Sequence, residues 1–389
     1  MVIIGSQAAM IAGAIGVAIL GVRDGAVSYR ATPSPDAVTV AVGPDPRAVA
    51  VDEVLGRAFV AAGSVSIVDL LHPGRARAVS VANEPFELTA DASLRRIFVT
   101  TLYGNGSLTV LDALSGTLVR TIIADASRDD HLSATRVAID DRSEHVFASG
   151  DTSVVMIDAR SGAILHSAPV GDNGIDSFAV DGRTSRVFFT YDQGQYAGVV
   201  SARDGTIVRR VTLYHRTAHQ DTISGTASAV DERTGRVFIC DTDNKTVSML
   251  DASSGRLLRT TPVGATPSAV AIDDRTSRAF VANEDGQSLS VLNASSGALL
   301  RTVPIGRYLH DVAVDRRART VLVTATGKDA FRDPGSVRVL DEATGATLRV
   351  IPVGKDPASV AVDEAVGRAI VTNLQDGTVS IVDTGRGSR

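Results

Sequence analysis

The feature that most constrains this chain is a β-hairpin that it writes eight times. Residues 269–283, AVAIDDRTSRAFVAN, show an alternating apolar run, a polar turn opened by Asp273 and a second apolar run. Anchored on the Asp that ends the first strand, the pattern recurs as AVAVD at Asp52, ELTAD at Asp91, RVAID at Asp140, SFAVD at Asp181, ASAVD at Asp231, AVAID at Asp273, DVAVD at Asp315 and SVAVD at Asp363. The intervals are 39, 49, 41, 50, 42, 42 and 48 residues, the length of a four-stranded propeller blade and longer than a leucine-rich or ankyrin unit. In the sixth unit the four strands read SAVAID, RAFVAN, SLSVLN and LLRTVPIG, each short, β-branched and bounded by turn residues. After residue 30 no stretch holds a helical period.

The turns explain why the copies look alike. DDRTSR, DERTGR and DGRTSR place an Asp where its carboxylate caps nearby backbone amides. DALSG, DARSG, DASSG, NASSG and DEATG place Gly where a positive φ is needed. These residues are assigned to turns and not to chemistry. First strands rich in Ala and Val suit the crowded centre of a radial array.

The two ends predict how the ring closes. DAVTVAVGPDP, before the first unit, resembles LRVIPVGKDP, before the eighth, so it is a fourth strand without a blade of its own. The eighth unit has three strands and stops at TGRGSR. Residues 37–42 are therefore expected to complete the blade formed by 358–383, which removes an open sheet edge. The expectation is an all-β, eight-bladed β-propeller closed by exchange of its terminal strands. A seven-bladed ring is the alternative, if the second or fourth unit is irregular.

Domain boundaries follow: 1–30 as an N-terminal membrane anchor or signal segment, 31–36 as a Pro-rich linker, 37–384 as the propeller and 385–389 as a tail. Residues 2–22 carry no charge, enough for a hydrophobic helix that spans a bilayer. The missing basic n-region favours a retained anchor over a cleaved signal. The propeller is then membrane-anchored or secreted, with an extracytoplasmic location expected.

Composition excludes several functions. The formal charge of −5 disfavours nucleic acid as a partner. The single cysteine, Cys240, rules out an intramolecular disulfide, CxxC zinc sites and haem attachment, and it sits in an apolar strand as a small hydrophobe. Only Lys245, Lys328 and Lys355 are lysines among 39 basic residues, so the cationic surface is almost wholly Arg.

FVTT (98–101), FVAN (280–283) and IVTN (370–373), each followed by GSLTVLD, GQSLSVLN or GTVSIVD, resemble the YVTN family of β-propeller repeat proteins over residues 37–383. Phe or Ile replaces the family's Tyr, and units three to five read FASG, FFTY and FICD. The resemblance implies a propeller, commonly exported or displayed at a prokaryotic surface, without an assigned reaction. There is no Trp, which removes WD-type repeats and tryptophan-docked quinone propellers.

In a propeller the fourth-to-first and second-to-third connections share one face, and long loops tend to carry function. The long connections here, 124–136, 213–226 and 327–336, all fall on that face. His131, His215, His219 and His310 lie in its fourth-to-first loops, with Asp130, Asp221 and Asp311 close by. Histidine is the commonest metal ligand and acts as acid or base near neutrality. His131, His215, His219, Asp221, His310 and Asp311 are therefore the candidate ligand-binding residues. His72, His145 and His166 are read as structural. No metal motif, nucleophile elbow, phosphate loop or other cofactor signature is present, so no cofactor or metal is assigned.

Two functions fit this reading. The first is a non-enzymatic, monomeric interaction disc that offers its long-loop face to a protein, peptide or glycan, with the membrane contacted through the N-terminal helix. The alternative is a lactonase-like hydrolase whose site at the mouth of the central channel draws on His131, His215, His219, His310 and neighbouring carboxylates and needs at least three of these to converge.

Overall fold

The computed structural model describes residues 22–23, 26–30, 32–33, 36–101, 107–123, 135–150, 152–171, 174–192, 194–213, 227–306, 308–329 and 332–385. Eight antiparallel sheets stand around a common axis. Blades 1 to 7 span 48–79, 85–123, 137–169, 175–212, 228–262, 267–304 and 309–355. Blade 8 combines Pro357–Asp363, Arg368–Asn373 and Thr378–Asp383 with the N-terminal strand Ala37–Ala41. The second and fourth units each form a regular four-stranded sheet, so the ring has eight blades and not seven.

Closure occurs as the sequence predicts: Val379 pairs with Val40 and Ile381 with Val38, antiparallel. The first strand of each blade touches that of the next, and blade 8 touches blade 1. The core is divided among the seams between blades. One cluster joins Val40, Val60, Val68 and Leu70 to Ile370 and Val379 across the closing seam. Cys240 is fully buried in the cluster between blades 5 and 6, and burial pushes its thiol up to about 12.

The eight anchoring aspartates are buried to within about 1% exposure and cap their turns. Asp52 Oδ1 accepts from Val54 N and Leu55 N at 3.0 Å, and Asp181 Oδ1 accepts from Arg183 N at 3.1 Å and Thr184 N at 3.2 Å. This accounts for their recurrence without any ligand.

The preference for Arg over Lys has a structural reason in two ladders that cross from blade to blade. In the first, an Arg two residues past the anchoring Asp donates to the backbone of the next blade. Arg183 reaches Glu232 O, Arg233 reaches Asp274 O, Arg275 reaches Arg316 O and Arg317 reaches Glu364 O. In the second, Arg77, Arg120, His166, Arg209, Arg259, Arg301 and Arg349 hold one register position on the outer strands. Arg301 donates to Ala343 O (2.7 Å) and Glu342 O (3.1 Å) of the next blade, and Arg349 to Asp383 O and Gly385 O. A planar fork can bridge two carbonyls in this way, which a point-like ammonium does less well. At the closing seam Val38 takes the outer position and Arg368 instead reaches Leu70 O and Leu71 O.

The second ladder also explains the turn glycines. Gly297 has φ of 70°, and a Cβ there would lie 3.1 Å from Arg259 Cδ and 3.0 Å from Met249 Sδ. Glycine thus serves both the left-handed turn and the close approach of the neighbouring blade's arginine.

Residues 2–21, where the hydrophobic helix is expected, lie outside the described residues. Among the described residues no helix is long and apolar enough to cross a membrane. Part of the chain ahead of the propeller is extended and paired. Ala26–Arg30 adds a strand to the outer edge of blade 1, with Ser28 opposite Arg77, and Thr32–Pro33 pairs with Val38–Thr39 of blade 8. The outer edge of a blade presents unpaired backbone groups, and the adjoining extended chain satisfies them.

Candidate functional site

The first strands run from the long-loop face to the buried aspartates, so the residues entering them line the channel mouth. Several of these entry residues join one blade to the next. Glu87 Oε2 accepts from Val137 N (3.1 Å), Arg136 Nε donates to Asp176 O (2.6 Å), and the hydroxyls of Ser177 and Ser228 meet at 3.0 Å. Ser268 Oγ donates to Leu309 O at 2.9 Å.

Asp311 belongs to this series. Its Oδ2 accepts from Ser359 Oγ (3.1 Å) and Val360 N (2.9 Å) of blade 8, and its Oδ1 accepts from Val312 N (2.8 Å). Burial raises its pKa, while those three donors and the charge of His310 act in the opposite direction. Its carboxylate is occupied in holding blade 7 to blade 8. Adjacency to His310 in sequence gave no means to see this, because the donors are some 48 residues downstream.

His310 points elsewhere. Its Nε2 lies 3.5 Å from Asp356 Oδ1, near enough for an ion pair when the imidazole is protonated. Asp356 sits in the connection into blade 8 with φ of 53°, a left-handed conformation that Asp tolerates better than most residues. Glu284, in the second-to-third connection of blade 6, completes the group. Burial raises its pKa, Asp285 and Asp356 add to the rise, and His310 opposes it. Beside them Lys355 Nζ approaches Asp376 Oδ1 at 3.9 Å, and Lys355 N donates to Asp376 Oδ2 at 2.8 Å.

Three successive blades thus place an imidazole and two carboxylates, Glu284, His310 and Asp356, on the long-loop face. Such a group can accept from or donate to hydroxyls and can attract an ammonium. Sequence reading found His310 and missed Glu284 and Asp356. The available signal for Asp356 was the likeness of VGKDP (353–357) to VGPDP (42–46), since Asp45 and Asp356 share a positive φ.

His131, His215, His219 and Asp221 lie outside the described residues, as does Asp130. In the third long connection Asp329 N donates to Asp333 Oδ2 at 3.1 Å and Asp333 N to Asp329 O at 2.8 Å, which folds this connection on itself. Among the described residues no group of three or more His, Cys, Asp or Glu side chains is placed to hold a metal ion. His145 Nδ1 lies 2.6 Å from Ala202 O of the next blade, and His166 packs under Gly205, so both serve the seams. His72 is exposed, 3.6 Å from Asp69.

Similarity to known proteins resides in the architecture. The chain superposes on a crystal structure of the computationally designed Ika8 protein with a TM-score of 0.69 and 16% identity, covering 88% of this chain and 99% of that one. It superposes on Saccharomyces cerevisiae Sqt1 with a TM-score of 0.70 and 10% identity, covering 89% and 99%. The chain has the β-propeller fold. No protein-family model matches the sequence, and no curated protein matches it.

Proposed function

We propose that this protein is a non-enzymatic binding disc that presents its long-loop face to a protein, peptide or glycan. The observation that carries the reading is the contrast between the two faces. On the tight-turn face the connections are short and repetitive, and their aspartates and arginines are taken up by capping and by blade-to-blade ladders. On the other face the connections differ in length and composition, and Glu284, His310 and Asp356 converge from three of them. Variation confined to one face of a rigid scaffold is how a binding surface is diversified at little cost to the fold. The uncharged stretch at 2–22 supports a disc that is tethered or exported.

The test is to replace residues 124–133 and 213–224 with the short connection VGAT (263–266) that joins blades 5 and 6, and to screen parent and variant on peptide and glycan arrays. The variant is expected to melt near the parent temperature and to lose the ligands that the parent selects. A variant that keeps every ligand sinks the proposal. Turnover of lactones or esters by the parent, lost in His310→Ala, together with a stoichiometric metal in elemental analysis, transfers the reading to a lactonase-like hydrolase.

A further inference from the structure

Blade 1 departs from the other blades at its outer strand, and the departure creates a cationic groove. In blades 2 to 7 the pairing of third and fourth strands shifts register beside the ladder residue, so that Val110 opposes Arg120 while Leu111 opposes Leu118, and Val291 opposes Arg301 while Leu292 opposes Leu299. The bulge puts the ladder arginine and the residue two before it on opposite sides of the sheet. Blade 1 has no such shift: Ile67 opposes Arg77 and Val68 opposes Ala76. Strict alternation then carries Arg75 and Arg77 to the same side, toward blade 2.

A cavity of about 210 Å³ opens there, lined by Arg57, Arg75, Arg77, Asp69, Ile67 and Leu114, with Ala76 at its back. Two of the three arginines are held in place. Arg57 Nη1 donates to Ala113 O (3.2 Å) and Leu114 O (2.5 Å), and Arg77 Nη1 donates to Ser115 O. The backbone of Arg75 pairs with Arg30, and its exposed side chain makes no hydrogen bond or ion pair with a described residue. The one carboxylate in the lining, Asp69, is engaged by Leu71 N at 2.8 Å and His72 N at 3.0 Å.

We infer that this groove between blades 1 and 2 is a binding subsite for a tetrahedral oxyanion, a phosphate or sulfate ester group. Among the described lining residues, three guanidinium groups stand against one carboxylate, a net positive charge. Arg57 and Arg77 spend only their Nη1 groups on carbonyls and keep further donors of their forks. The volume lies below the range for drug-sized ligands and suits a single charged group. Leu114, 49% exposed, lines the groove and would suit the apolar portion of such a ligand. The subsite lies on the rim and does not depend on the function proposed for the long-loop face.

The full chain in detergent micelles is melted in chloride and in inorganic phosphate at one ionic strength, beside Arg75→Gln and, as a control for lost charge elsewhere on the rim, Arg256→Gln. Phosphate is excluded from protein surfaces and stabilises all proteins to some degree, so the readout is the difference between variants. Parent and Arg256→Gln are expected to gain Tm with each increment of phosphate beyond the gain of Arg75→Gln. A second arm measures partition of the three proteins into phosphatidylcholine vesicles with and without phosphatidic acid. A Tm response without vesicle preference assigns a soluble phosphate ester, and a preference for phosphatidic acid that Arg75→Gln loses assigns a lipid headgroup. Equal responses of all three proteins in both arms overturn the subsite.

Discussion

Volume exchange within blade 4 provides a quantitative test of how the repeat tolerates divergence. On the second and third strands of blades 1, 6 and 8 the same cross-strand pair reads Val60 with Ser66, Val281 with Ser290 and Val371 with Ser380. Blade 4 has Phe189 opposite Gly198. Phe189 is fully buried, and a Cβ added to Gly198 would fall closer than 3.0 Å to three atoms of its ring. Gly198→Ala alone must force Phe189 out of its rotamer, an overpacking cost of about 2–3 kcal/mol. Phe189→Val alone leaves a cavity and loses buried surface, a cost of about 2–3 kcal/mol when scaled from larger truncations. Together the two changes restore the small-and-branched pairing of the other blades, and the double variant is expected within about 1 kcal/mol of the parent. Alanine is preferred to serine at 198 because the asparagine that bonds Ser290 and Ser380 is replaced in blade 4 by Tyr191. Guanidinium unfolding of the four proteins gives the coupling energy directly. If the double variant is destabilised by the sum of the two single costs, the argument from volume exchange is wrong.

Three further outcomes follow from the seams. Arg278→Leu leaves Glu342, which has no exposed surface, with Arg319 at 3.6 Å as its remaining ion-pair partner, so a loss of about 3 kcal/mol is expected in chemical denaturation and Glu342→Gln should recover most of it. Asp141 keeps an exposed side chain, yet partial desolvation first and then Asp91 and Asp140 push it up to about 6. A raised acid favours folding below its unfolded value of 3.8 and loses that contribution as pH rises through about 6, so Asp141→Asn should raise Tm at pH 7 and leave it unchanged at pH 3.5. Removal of residues 1–42 bares the edge of Thr378–Asp383 and should give dimers or aggregates beyond those of the parent in light scattering, whereas removal of 1–20 should not.

The candidate site was legible only in part. His310 stood out because histidine in a fourth-to-first loop is chemically conspicuous, and the propeller topology placed it at the channel mouth. Asp311 looked equally conspicuous, yet its acceptor capacity is filled by Ser359 and Val360 from the next blade. Glu284 and Asp356 were passed over because each occupies a different connection, and only the radial packing of blades 6, 7 and 8 brings their charges to His310.

The sequence by itself determined the order of strands within each blade and the strand exchange that closes the ring, and it favoured eight blades, while the regular second and fourth sheets excluded seven. These are local or repeated properties: alternation sets the strands, Asp and Gly set the turns, and a fourth strand without a blade must pair with a blade without a fourth strand. Tertiary structure alone decided what the arginines do. Arg259 and Arg75 look alike in the sequence, and the first lies over the turn glycine of the next blade while the second faces an open groove. Arg75 turns toward that groove because blade 1 lacks the one-residue bulge that sends the equivalent residue of blades 2 to 7 to the opposite side of the sheet, and because of which blade stands opposite it. Neither is encoded within the arginine's own strand.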